Sequence, residues 1–265
     1  IRFGKSKADY SCDKNTNSIY KGISSIKFCN AKIAEELWEL SQNKKYSTFI
    51  ELLKDIKEKT SVNSRQLEIL IGLNFFKDFG ANKYLINVTK VYDNFIGKKQ
   101  INKKDIPSLS EKYRLNEDII SVYSEKETKT LYKNVDMGKI VSYIIEKIPQ
   151  KSFNISEQIA FEMKCLEYAT TCLPNVSEKF WIVTNFQVFK NPAKPYLTLY
   201  KIKDGKTLRT KIKTDTRFIE NPFRLYSILK IDNFDIQTKT EKIGDKWVKT
   251  DKIELILEDY EVVLL

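Results

Sequence analysis

The hydrophobic rhythm of the chain changes at Pro174, and this change constrains the fold more than any other feature. Before it, apolar residues recur at the three- and four-residue spacing of amphipathic helices. Ile33, Leu37 and Leu40 form one such set, and Phe49, Leu52, Leu53 and Ile56 a second. Leu67, Leu70 and Ile71 form a third, and Leu85, Val88, Val91 and Tyr92 a fourth. After it, apolar and polar residues alternate with the period of two that a half-buried strand requires. The pattern predicts an α+β chain, with an all-helical N-terminal unit, connecting helices and a β-rich C-terminal domain.

Start and stop signals sharpen the boundaries. Asn30 is placed to cap a helix from Ala31 to about Leu40. Further helices are expected at about Thr48 to Lys59, Ser64 to Leu73 after the cap Asn63, and Lys83 to Phe95. Asn74 fits the end of the third. Upstream, Ala8 to Cys12 and Ser18 to Ile23 read as short extended stretches around a polar turn. Gly97 to Lys104 reads as a solvated link. Asn116 to Tyr123, Met137 to Lys147 and Ser156 to Cys172 read as connecting helices, the last capped by Ser156. Strands are expected at Phe180 to Lys190, Tyr196 to Lys203 and Lys206 to Lys213, with turns at Asn191-Pro192 and Asp204-Gly205. Ile228 to Glu241 and Trp247 to Leu264 complete five, with an insert at Thr216 to Tyr226 between the third and fourth. That order fits an oligonucleotide-binding (OB) barrel. The expected divisions are 1–97, 98–174 and 175–265.

Composition narrows the chemistry. The formal net charge is +11, which favours an anionic partner and nucleic acid first. The same Lys-rich, Asn-rich and Ile-rich usage is also what an AT-rich genome produces. Histidine is absent, so no imidazole can act as general base or metal ligand. The four cysteines form no Cys-x-x-Cys pair, which argues against zinc ribbons and redox motifs and leaves them as buried thiols of a reducing cytosol. Neither a signal peptide nor an apolar run near the ~20 residues of a membrane span occurs. Paired carboxylates of the kind that hold two Mg²⁺ ions for nucleotidyl transfer are missing, as are phosphate-cradling glycine loops. The expectation is a cytoplasmic DNA-binding segment with no catalytic residues, metal site or cofactor of its own. A chain that opens Ile1-Arg2-Phe3 without Met is expected to be part of a larger protein.

Two groups of residues are candidates for DNA contact. In the predicted hairpin, Lys194, Lys201, Lys203, Arg209, Lys211 and Lys213 meet one local acid, Asp204, and Arg209, Lys211 and Lys213 share a strand face. Tyr196 and Tyr200 share a face on the neighbouring strand. Cations that follow a phosphate backbone beside aromatics that stack bases make a single-strand site. The alternative is a solvated strand face with ordinary barrel tyrosines. Lys98, Lys99, Lys103 and Lys104 are a further candidate phosphate patch, which reads more readily as a solvated linker.

Ile19-Tyr20-Lys21-Gly22-Ile23-Ser24-Ser25-Ile26-Lys27 and Val62 to Phe76 together resemble the helix-hairpin-helix region behind the fingers of the bacterial DNA polymerase III alpha subunit family. Asn63, Arg65, Leu67, Glu68, Leu70, Ile71 and Phe75 follow that family's pattern. Its Ile-Lys-Gly-x-Gly turn reads Ile26-Lys27-Phe28-Cys29-Asn30 here, and its glycine before Phe75 reads Asn74. Gln158 to Pro174 echoes the helix and turn that precede the family's OB domain. The resemblance implies a parent DNA polymerase whose catalytic carboxylates lie outside this segment. Lys27, Asn30, Lys32 and Arg65 would then contact duplex DNA, the OB domain would hold single-stranded template, and a sliding clamp or other replisome proteins would be partners. A protein-interaction module and an RNA-binding OB protein are the alternatives.

Overall fold

A computed structural model describes residues 1–188, 195–213 and 215–263. The chain divides into two compact units, Ile1–Ser152 and Phe153–Leu265.

The first unit opens with a two-stranded ribbon, β1 (Ser11–Asp13) and β2 (Ser18–Tyr20). Four helices follow: α1 (Ala31–Asn43), α2 (Phe49–Lys59), α3 (Ser64–Gly72) and α4 (Asn82–Phe95). The starts of α1, α2 and α3 are fixed by side chains that accept otherwise unpaired first-turn N–H groups, while α4 begins at Ala81 without one. Asn30 accepts from Ile33 N at 3.0 Å, Thr48 from Glu51 N at 3.3 Å and Asn63 from Gln66 N at 3.0 Å. The apolar positions read from the sequence are the ones buried, Leu52, Leu53, Ile56, Leu67, Leu70, Leu85 and Val88 among them. Asn74 takes φ 61°, the left-handed turn of a helix C-terminus, and Phe75 N closes onto Leu70 O at 3.0 Å. The turn swings Phe75 and Phe76 inward, where they lie 4.8 Å apart. Phe3 and Phe49 each meet Phe76 at 5.7 Å, and Phe3 N donates to Phe75 O at 2.8 Å. One aromatic cluster thus ties the N-terminal arm to α2 and the α3–α4 turn.

The stretch from 98 onward departs from expectation. Gln100–Asn102 is a strand, β3, in a three-stranded antiparallel sheet ordered β3-β5-β4, with β4 at Ser124–Glu127 and β5 at Leu131–Val135. Ile101 pairs with Tyr132 and both are buried, so the Lys-rich link is anchored on β5. Between β3 and β4 lie α5 (Ile106–Tyr113), which the sequence reading missed, and α6 (Glu117–Val122). α7 (Met137–Ile145) packs on α4 and completes the unit. Residues 98–152 therefore cluster with the helices before them instead of forming a separate connector.

The second unit begins with α8 (Ile155–Leu166), capped by Asn154 in a reciprocal box with Glu157, and not by Ser156. The helix ends six residues earlier than the predicted Cys172. The reason is Glu162, a buried carboxylate that accepts Thr170 N at 2.6 Å and Thr171 N at 3.0 Å and folds the chain back. Five strands follow: β6 (Phe180–Gln187), β7 (Tyr196–Lys201), β8 (Thr207–Lys211), β9 (Ile228–Ile243) and β10 (Lys246–Val263). They form an antiparallel sheet in the order β10-β9-β6-β7-β8, with a short helix, α9 (Asp215–Glu220), between β8 and β9. The predicted turn at Asn191-Pro192 lies outside the described residues. At the far edge, Ile212 bridges Leu257 in parallel, Lys213 N donates to Leu257 O at 2.9 Å and the Thr210 hydroxyl to Leu255 O at 2.8 Å. One sheet face buries Val183, Leu199, Leu229, Leu257 and Tyr260. The other buries Ile182, Tyr200, Ile202 and Ile228 against Ile159 of α8. Of the four cysteines only Cys165 is buried; Cys12 is exposed, and Cys29 and Cys172 are intermediate.

Phe76 is fully buried at the centre of the aromatic cluster. Phe76→Ala is expected to destabilise the N-terminal unit by about 3–5 kcal/mol, read as a lower urea midpoint. A change under about 1 kcal/mol would mean that the cluster does not anchor the unit.

Candidate nucleic-acid interface

The turn between Ile26 and Asn30 gathers more chemistry than any other surface of the first unit. It is built on a close approach. A Cβ on Gly22 would lie 2.4 Å from Ala8 O, so only glycine lets the chain pass there. Ile23 N and Ser24 N then bond Lys7 O and Ala8 O at 2.9 and 3.1 Å, and Ile26 is buried. Cys29 N closes the turn onto Ile26 O at 3.1 Å. Phe28, between them, adopts φ 68°. That left-handed conformation costs a residue with a side chain roughly 1–2 kcal/mol, so the surroundings must hold it.

Two neighbouring residues of α3 do so. The Gln66 amide donates to Phe28 O at 2.8 Å, while its own oxygen accepts Asn63 N at 2.9 Å in the α3 capping box. The Arg65 guanidinium lies over the Phe28 ring, 3.5 Å from its centroid. Asn30, two residues past Phe28, caps α1. The N-termini of α1 and α3 thus converge on one turn. Each presents first-turn N–H groups and the positive end of its dipole, which favour anions.

All four duplex candidates, the exposed Lys27 with Asn30, Lys32 and Arg65, therefore lie in or beside this turn. Lys32 also lies 3.8 Å from Glu36, which accepts Ser61 N and the Ser61 hydroxyl at 2.7 and 2.8 Å. Desolvation raises the pKa of Glu36, but the two Ser61 hydrogen bonds and Lys32 outweigh it and hold the carboxyl below its ordinary range. In the sequence Phe28 stands out only as the residue in place of a glycine of the resembled turn. Its exposed ring and its stacking on Arg65 become visible only when α3 is brought beside the turn.

The strand candidates are placed differently from expectation. Tyr200 does share the outer face with Tyr196, but it is only 3% exposed, covered with Ile159 and bonded to Thr171 O at 3.0 Å. It belongs to the core and offers no stacking surface. Tyr196 is 50% exposed. Lys201 and Lys203 both reach Glu178, at 3.3 and 3.0 Å. Lys211 pairs with Glu254 at 2.7 Å. Lys213 contacts Glu258 and lies 3.5 Å from Asp235. The Glu258 hydrogen bond, then Asp235, hold the Lys213 ammonium above its ordinary pKa, and Lys203, then Lys201, hold the Glu178 carboxyl below its own. Four of these cations are thus paired with acids remote in sequence, Glu178 in the loop before β6 and Asp235, Glu254 and Glu258 on β9 and β10. Arg209 is exposed and has no ionic partner among the described residues. Lys194 lies outside the described residues.

Removing the Gln66 amide takes away a cap and the bond to Phe28 O together. Gln66→Ala is expected to cost about 1–2 kcal/mol in chemical denaturation, and unchanged stability would contradict the clip. Because the pKa of Glu36 is lowered on folding, its contribution is present above the ordinary carboxylate range and lost as pH falls through the lowered value. Glu36→Gln should flatten that part of the acid stability profile, and a profile identical to the parent would reject this linkage.

Residues 4–85 match the family model described as a helix-hairpin-helix motif, and the matched stretch contains the whole of this turn and both helix N-termini. No curated protein matches the chain. The match supports a nucleic-acid-binding unit at the N-terminal end of the chain.

Proposed function

We propose that the first unit binds DNA at the Ile26–Asn30 turn, with the N-termini of α1 and α3 as the phosphate-facing ends. The observation that carries this reading is the convergence of those two helix ends with Lys27, Lys32 and Arg65 inside the helix-hairpin-helix stretch. Lysine and arginine ammonium and guanidinium groups neutralise phosphates, and first-turn N–H groups fix the register of the backbone. Neither discriminates sequence, so the unit grips DNA without reading it.

The larger assignment follows the resemblance. We read the chain as a DNA-holding segment of a replicative-type polymerase like the polymerase III alpha subunit, with nucleotidyl transfer carried out elsewhere in the parent protein. In this reading the second unit is an OB-type domain. Its strand order, its insert between β8 and β9 and the parallel Ile212–Leu257 bridge support that. Single-stranded template would meet it at Tyr196 and Arg209, since Lys201, Lys203, Lys211 and Lys213 must first release carboxylates. A second reading, a module for a clamp or replisome protein, draws on Ile236 and Ile253, which are 67% and 70% exposed on β9 and β10.

The test is fluorescence anisotropy with labelled single-stranded, duplex and primer–template DNA across a salt series. Binding should weaken with salt by about 0.9 log units per log unit of salt for each neutralised duplex phosphate. The pair Lys27→Ala and Lys32→Ala should weaken binding and reduce that slope by about two. Binding that is absent even at low salt, or a slope the pair does not change, would contradict the turn as the contact. Partner-protein binding that survives high salt would favour the second reading.

A further inference from the structure

Phe28 is not explained by packing. The residue is 52% exposed, so it adds little to the core. Its backbone sits at φ 68°, where a bulky side chain is disfavoured and glycine is not. Two side chains of α3 nevertheless hold it. Gln66 grips its carbonyl at 2.8 Å, and Arg65 covers the ring at 3.5 Å. A ring stacked on a guanidinium on one side and half exposed overall presents its other face to solvent, in a fixed orientation. Around it stand Lys27, Lys32, Arg65 and the N-terminus of α1, which draw phosphates to the turn.

Resting on the DNA-binding reading above, we propose that Phe28 is a base-contacting residue that stacks on an unpaired or partly unstacked base of DNA held at this turn. A side chain at this position keeps the amides of the turn itself from the close phosphate approach that glycine permits, leaves that contact to the first turns of α1 and α3, and carries an aromatic face forward. Fixing the ring in advance lowers the entropic cost of stacking on it. Aromatic side chains inserted at base steps are a general means of holding distorted or single-stranded DNA. The guanidinium beneath completes a base–phenyl–guanidinium sandwich, in which the cation strengthens the stack and its charge stays near the backbone. The chemistry selects DNA that offers an exposed base, such as a primer–template junction, a frayed end or a single strand, over intact blunt duplex.

The test compares the parent chain with Phe28→Ala, Phe28→Gly and Phe28→Trp on a junction carrying 2-aminopurine at the first unpaired position and on blunt duplex of the same length. Phe28→Ala should weaken junction binding by about 10- to 100-fold and blunt-duplex binding by less than about threefold, with an unchanged salt slope. The 2-aminopurine signal change on binding should be lost in Phe28→Ala and Phe28→Gly and kept in Phe28→Trp. Phe28→Gly accepts the left-handed turn and should unfold no earlier than the parent, which separates loss of stacking from loss of fold. Equal affinity of parent and Phe28→Ala for the junction would overturn the proposal while leaving the DNA-binding reading intact. Equal losses on junction and blunt duplex would also overturn it, as a backbone effect. Failure of the parent to bind either DNA would overturn both.

Discussion

One side chain, Gln66, joins the two halves of the candidate interface. It closes the capping box of α3 and grips the carbonyl of Phe28, so the start of one helix and the turn before another are set by the same amide. That bond helps hold Phe28 in its left-handed conformation and ties the turn to the start of α3. The aromatic cluster around Phe76 supports this from below by fixing where α3 ends. The geometry of the site is therefore a consequence of capping and core packing, with no dedicated scaffold of its own.

Much of the first unit was legible because its signals are local. Asn30, Thr48 and Asn63 act within three residues, and the apolar spacings of α1 to α4 need no knowledge of neighbours. The strands β3, β4 and β5 were not legible. They span three to five residues, and β3 shows one inward residue, Ile101, too few for a period to be read. The end of α8 was misplaced because its cause, Glu162, acts through hydrogen bonds to a loop that follows it. In the second unit the alternation gave the number of strands and their order along the chain.

The candidate contacts divide along the same line. Lys27, Asn30 and Lys32 lie in one short segment, and their shared position was readable. All four duplex candidates entered through a resemblance, and α3 sets Arg65 beside the segment that holds the other three. The strand cations were counted against one acid because the other acids are remote in sequence. Glu254 meets Lys211 and Glu258 meets Lys213 only once β10 has returned along the β8 edge. Tyr200 alternated correctly but fell under α8. Charge counted along a strand measures composition; charge available to a ligand depends on what the fold sets opposite.

The central claim is that DNA meets the first unit at the turn held by Gln66. It is tested most directly by following backbone amide chemical shifts of the full chain during titration with a short primer–template DNA. The account predicts the largest shifts at Lys27 to Ile33 and at Ser64 to Gln66, with smaller ones at Tyr196 and Arg209. Shifts confined to the second unit, with the turn silent, would contradict it.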